Sequence, residues 1–323
     1  MRHSIARILL LVSIPTALLP RSGTAGNPDT RPLPQESAWT SLAAAIARSA
    51  EDYRIGDDWG KLPVTPEQLA TATPEFVRAA KVTSTYGGGT AFYIGKFHGH
   101  HLMGTNHHVQ ASMNCRGLAR FQVLGAAYPC RKVLGHWPEI DFALFEITVP
   151  ASDEAVLAKL AKNFSFDRPL TAGQLLLTIG HGIASNPGRR LVANQDSDCK
   201  VFSDEVRLMG DPDEYNPGEY QAWSFANGCD VSHGDSGSAM IDRLTGEPVG
   251  IIWTGRIPKS SEAQSSATLD DWLRTGSHEI WKQLSYGVPA TKIHEVLEGI
   301  LESDTSLDRE TVETLRAFLD SRN

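Results

Sequence analysis

The pattern of apolar and polar positions changes texture twice along the chain. Between about Val82 and Ile252, short apolar and β-branched runs alternate with Gly, Pro, Asn and Asp. They are Thr90–Ile94, Phe121–Leu124, Phe142–Ile147, Gln174–Ile179, Ala239–Ile241 and Val249–Trp253. Many short runs with turn residues between them predict an all-β barrel or sandwich rather than βαβ units. On both flanks the period becomes helical. Trp39, Leu42, Ile46 and Tyr53 share one face of an Ala-rich stretch, and Thr65-Pro66-Glu67 and Thr73-Pro74-Glu75 each read as N-cap, Pro and acid of a first turn. Near the C-terminus, Ile293, Val296, Leu297, Ile300 and Leu301 form one stripe, and Val312, Leu315 and Leu319 a second. Both flanks are expected to pack against the β core.

Composition narrows the class. The 323 residues are 41% hydrophobic and 21% charged, which excludes a wholly disordered chain. With 30 Lys+Arg against 38 Asp+Glu the formal charge is −8, which argues against nucleic acid or anionic lipid as the main partner. Arg2 and Arg7 precede an apolar run, Ile8–Leu19, and then the small residues Ser22 to Gly26. Basic, apolar and small-residue regions in that order predict a secretory signal peptide over residues 1–25, cut after Ala25. The apolar run is too short for a membrane span and contains Pro15. The mature protein is therefore expected to be secreted or periplasmic and free of the membrane, with a charge of −11 once Arg2, Arg7 and Arg21 leave. Residues 26–81 then form an N-terminal helical segment, either a pro-segment or a packing arm.

Three segments inside the β region supply an imidazole, a carboxylate and a hydroxyl. They are Gly104-Thr105-Asn106-His107-His108-Val109, Glu139-Ile140-Asp141-Phe142-Ala143-Leu144 and His233-Gly234-Asp235-Ser236-Gly237-Ser238-Ala239. A serine hydroxyl becomes a nucleophile when a neighbouring base takes its proton. Histidine suits that task, and a buried Asp fixes its tautomer. Glycines beside Ser236 allow a tight turn whose Gly234 and Ser236 N–H groups could meet a developing oxyanion. Each segment alone is weak; together, in the order His, Asp, Ser, they are specific.

The chain resembles the trypsin-like serine peptidases of the chymotrypsin fold, nearest in texture to their bacterial V8-like, glutamyl-endopeptidase-like branch. The resemblance rests on Gly88-Gly89-Thr90-Ala91-Phe92, Thr105-Asn106-His107-His108-Val109, Asp141-Phe142-Ala143-Leu144 and Gly234-Asp235-Ser236-Gly237-Ser238, with Gly250-Ile251-Ile252 and Gly287-Val288-Pro289 further on. It implies two packed six-stranded antiparallel β-barrels over residues 82–298; the apolar stripes beyond them predict a C-terminal helix over 299–323. It also implies a catalytic triad of His108, Asp141 and Ser236, an oxyanion hole at Gly234 and Ser236, a peptide or protein substrate, and no cofactor. Asp230, six residues before Ser236, occupies the place of the acid that binds basic side chains in trypsin-like enzymes. With Ile252 and Trp253 it forms a candidate specificity pocket. Ile252 stands where glutamyl endopeptidases carry His, so Glu specificity is not implied. Asp235 is expected to bond locally and shape the oxyanion turn. Four cysteines allow three pairings, and the resemblance favours Cys115–Cys130 and Cys199–Cys229.

Three rivals are weaker. His98, His100, His101, His107 and His108 cluster without H-E-x-x-H or Cys-x-x-Cys, so no metal site is expected. An α/β-hydrolase needs G-x-S-x-G and the order Ser, acid, His, which this chain lacks. A catalytically silent binding module on the same fold is the strongest alternative.

Overall fold

The computed structural model describes residues 50–65, 67, 74–84, 87–186 and 188–321. The expected leader over 1–25, the helical face of Trp39, Leu42 and Ile46, and the helix-start residues Pro66 and Thr73 lie outside them.

The described chain opens with a 3-10 turn, Ala50–Asp52, followed by β1 (Lys61–Pro63), α1 (Pro74–Arg78), β2 (Ala79–Ser84), β3 (Gly87–Phe97) and β4 (His100–Thr105). Next come α2 (His107–Met113), β5 (Leu118–Phe121), β6 (Ala126–Trp137), β7 (Phe142–Ile147) and α3 (Glu154–Ala158). The second half holds β8 (Leu176–Gly180), β9 (Val192–Asn194), β10 (Val201–Gly210), β11 (Gln221–Asn227), β12 (Ala239–Asp242) and β13 (Pro248–Gly255). It ends with α4 (Ser266–Thr275), α5 (Ile280–Gln283), β14 (Ser285–Pro289), α6 (Ala290–Ser303) and α7 (Arg309–Asp320).

Strands β2-β3-β4-β7-β6-β5 form a closed antiparallel barrel, sealed where Lys81 faces Arg120 and Val82 faces Ala119. Alternation along β3 shows how it is filled. Ala91 and Tyr93 pack with Met103, Phe121 and Phe145, while Phe92 and Ile94 pack with Leu144, Phe164 and Phe318. Both faces of this strand are covered, so its sequence reads as a nearly continuous apolar run. Helix α7 provides part of the outer cover: Phe318 meets Phe97 edge-on at 5.8 Å, and Asn163 Nδ2 donates to the Phe318 carbonyl at 2.7 Å.

The remaining strands make an antiparallel sheet of eight, in the order β1-β9-β8-β12-β13-β14-β11-β10. This is the second β unit that the resemblance implies, but with eight strands rather than six and with β1 and β10 as its two edges. The extra edge comes from the flank expected to be helical. Lys61, Leu62 and Pro63 pair with Asn194, Ala193 and Val192, a run too short to carry a legible period, and Pro63 sits where an edge strand tolerates it. Strand β2 begins at Ala79, so the expected boundary at residue 82 falls inside a barrel strand. The Phe121–Leu124 run also differs: the strand ends at Phe121 and residues 122–124 turn.

Disulfides join Cys115 to Cys130 and Cys199 to Cys229. In the C-terminal helices, Ile293 and Leu297 of α6 and Leu315, Phe318 and Leu319 of α7 are buried against the β core. Among the described residues no helix is long and apolar enough to cross a membrane.

Candidate active site

His108 is the second residue of α2, and Asp141 follows the 3-10 turn Pro138–Ile140 in a left-handed conformation, φ 36°. That turn aims the Asp141 carboxylate at the start of α2. Oδ1 accepts the His108 backbone N–H at 2.9 Å, Oδ2 accepts His108 Nδ1–H at 2.6 Å, and Asn106 Nδ2 donates to the Asp141 carbonyl at 2.8 Å. Asp141 is fully buried while the His108 side chain is 31% exposed, and the ring's Nδ1 edge is the one turned to Asp141. Burial opposes charge on this ring and is the largest single influence. The Asp141 charge and hydrogen bond, helped by Asp211, outweigh it together and hold the His108 pKa above its ordinary value. The neighbouring His107 is turned elsewhere: its Nδ1 lies 2.9 Å from His136 Nδ1, and burial lowers its pKa.

Ser236 lies in the turn before β12. The N–H groups of Asp235, Gly237 and Ser238 donate to Ser232, Ile252 and Asp235 carbonyls at 3.0, 3.0 and 2.8 Å. Among the described residues, those of Gly234 and Ser236 donate to no protein acceptor. Two unused donors in one turn at a partly exposed serine are what a developing oxyanion requires. Gly234 (φ +92°) and Gly237 (φ +87°) take conformations that other residues rarely adopt. Ser236 Oγ donates to the Trp253 carbonyl at 3.4 Å, and among the described residues no hydrogen bond joins it to His108. The two halves nevertheless converge. A Cβ on Gly89 would meet both the Ser236 carbonyl and Val109 Cγ2 at 2.7 Å.

Three residues that hold this turn were not assigned a role from sequence. Thr90 clamps it: its N–H donates to the Ser236 carbonyl at 2.8 Å and its Oγ1 to the Gly234 carbonyl at 2.9 Å, while the His181 N–H donates to the same Oγ1 at 2.9 Å. Its only sequence signal was membership of Gly89-Thr90-Ala91-Phe92. Lys61 forms a buried ion pair with Asp235, whose Oδ2 also accepts from Ser232 N–H at 2.9 Å and Ser232 Oγ at 3.0 Å. The expected local bonds of Asp235 are thus present, joined by a partner from far upstream. Arg189 lies against Gly234, where a Cβ would come within 2.8 Å of its Nη2.

The candidate specificity pocket needs correction at Asp230. This carboxylate is fully buried and accepts from Ile55 N–H at 2.7 Å and Gly60 N–H at 2.9 Å, so the N-terminal segment occupies it instead of a substrate side chain. Burial raises its pKa to about 8. Ile252 and Trp253 are buried in β13; the Trp253 carbonyl faces Ser236 Oγ, and its indole N–H donates to Ser224 Oγ at 2.8 Å. Of the histidines weighed as a metal cluster, His98 and His100 contact Glu313 and Glu310 of α7 at 3.3 and 3.2 Å, and His101 Nδ1 contacts Tyr93 Oη at 2.9 Å.

No family model and no curated protein matches the chain. Among solved structures, an inactive mutant form of Rv3671c from M. tuberculosis is similar at 18% identity and TM-score 0.47, over 75% of this chain and 96% of that one. The active form of the Rv3671c protease gives 18% and 0.44, over 88% and 93%. A serine endoprotease from Yersinia pestis gives 15% and 0.44, over 75% and 68%.

Proposed function

We propose that the protein is a serine endopeptidase acting through an acyl-enzyme. The observation that carries this reading is the pairing of an Asp-oriented imidazole with a serine turn that leaves the Gly234 and Ser236 N–H groups unused. Asp141 holds Nδ1–H and stabilises the imidazolium. His108 Nε2 takes the Ser236 proton as Oγ attacks the peptide carbonyl, then returns it to the leaving amine. The Gly234 and Ser236 N–H groups receive the oxyanion, and water releases the acyl group by the same path in reverse. Before attack, Ser236 Oγ must exchange the Trp253 carbonyl for His108 Nε2. The leader over residues 1–25 and the two disulfides support a secreted or periplasmic site of action, and the motif set supports the trypsin-like family, V8-like branch, with peptide or protein substrates.

The missing Ser236–His108 hydrogen bond favours a second reading, a silent binding module. A fluorophosphonate probe separates the two. The peptidase reading expects stoichiometric adduct on Ser236, located by peptide mass spectrometry and absent in Ser236→Ala. A folded wild-type protein that takes up no probe and cleaves no peptide would leave the binding module.

A further inference from the structure

A cleft of about 330 Å³ opens beside the oxyanion turn, and its polar lining is basic: Lys81, Arg120 and Arg189, with Gln122 and His181. The strand register builds the cluster. Lys81 of β2 stands opposite Arg120 of β5 on one side and opposite Thr90, the clamp of the Ser236 turn, on the other. Like charges directly opposite across strands are destabilising. Among the described residues, no carboxylate pairs with Lys81, Arg120 or Arg189, in a chain whose acids outnumber its bases 38 to 30. Burial, then the charges of Arg189 and Arg120, hold the Lys81 pKa below its ordinary value.

Arg189 ties the cleft to the candidate active site. Its guanidinium spans Gly88 and Gly234, and its buried Nη2 has no hydrogen-bond partner. The acid whose charge reaches it, Asp235, is already engaged by Lys61 and Ser232. His181 sits beneath, its Nδ1–H donating to the Arg189 carbonyl at 3.1 Å. Burial lowers its pKa to about 4, so it is a neutral ring and adds no charge of its own. Among the described residues, three cations without a carboxylate partner thus line one cleft, and the guanidinium of one of them, whose Nε donates to the His181 carbonyl at 3.4 Å, keeps a buried Nη2 with no partner.

We infer that this cleft is a carboxylate subsite, taking an acidic side chain or the terminal carboxylate of a peptide whose scissile carbonyl lies at Gly234 and Ser236. The inference rests on the peptidase reading. At ~3.3 Å per extended residue, the anion belongs within about one to three residues of the scissile bond. The subsite is separate from Asp230, Ile252 and Trp253, and its chemistry is opposite to the acid that Asp230 would have offered.

The test uses the full chain and a set of matched peptides, each with Glu or Gln at successive positions and with a free or amidated C-terminus. The subsite expects one position at which Glu, or the free terminus, raises kcat/KM by about tenfold or more, the effect of a charge-assisted contact. The Glu:Gln arm and the acid:amide arm tell side chain from terminus. In Arg120→Gln, at an exposed position where folding is safe, and in Lys81→Met, that ratio falls to within about threefold. Equal cleavage across both arms, or a ratio that survives Arg120→Gln, overturns the subsite while leaving the peptidase reading intact. If no peptide is cleaved, fluorescence anisotropy of the same labelled peptides on Ser236→Ala reads the subsite alone. Tighter binding of the carboxylate forms, lost in Ser236→Ala/Arg120→Gln, sustains it, and equal binding overturns it.

Discussion

Replacing Lys61 by Met isolates the buried ion pair that holds the oxyanion turn. The side chains of Lys61 and Asp235 are 3% and 4% exposed, so Met removes a charge but keeps most of the volume. Taking one partner from a buried pair costs ~3–5 kcal/mol, because the other charge is stranded. Asp235 keeps its two Ser232 donors, which places the loss near the lower figure. At about 2–4 °C per kcal/mol for a domain of this size, calorimetry should find Tm lower by roughly 6–12 °C. Since Asp235 adjoins both oxyanion donors, kcat should fall while KM changes little, by up to about 10²–10³, the cost of losing one such donor. The double variant Lys61→Met/Asp235→Asn should regain much of the Tm without the kcat. Lys282→Met, which removes only an exposed pair with Glu279, should move neither. A Lys61→Met protein with wild-type Tm and kcat would refute the reasoning.

Four further outcomes follow from the site. Asp141→Asn should lower kcat about 10⁴-fold, because an amide no longer selects the Nδ1–H tautomer; a loss under tenfold would remove Asp141 from the triad. Activity should rise with pH through a midpoint above ~6.5, since His108 must be neutral to act as base and its pKa is raised. The stability contributed by that contact has the opposite slope: it is complete below about 6.5 and fades as pH climbs through the folded pKa, which urea titrations against pH will show. Thr90→Val, nearly isosteric, should cost ~1–3 kcal/mol by stranding the buried His181 N–H and the Gly234 carbonyl, and it should lower kcat; unchanged kinetics would mean the clamp is dispensable.

What could be read from sequence was local. The β7 run Phe142–Ile147 is buried along its whole length, so its apolar character marks both strand and ends. His108, Asp141 and Ser236 each sit in a segment of six or seven residues with its own turn and strand signals. The contacts that fix the site are long-range: Lys61 reaches Asp235 across 174 positions, and Thr90 reaches Gly234 across 144. A single Lys in Gly60-Lys61-Leu62 carries no period and no motif, and its value appears only when β1 pairs with β9. The same contacts explain the misreading of Asp230. Its position relative to Ser236 was legible, but the Ile55 and Gly60 N–H groups that fill it belong to a flank whose helical periodicity gives no sign of a contact 170 or more residues away.

Helix α7 has a consequence for how the molecule is made. Phe318 closes over Phe97, Phe164 and Phe166, on the outer wall of a barrel whose last strand ends at Ile147. Chain emerging from a ribosome therefore presents that aromatic wall uncovered for some 160 further residues of synthesis, at ~5–20 residues per second. The first half of the protein must wait, sticky and incomplete, for the last helix to arrive. Nascent chains stalled before Arg309 should accordingly stay open to added protease, and resistance at that length would show that the barrel stands without its cover.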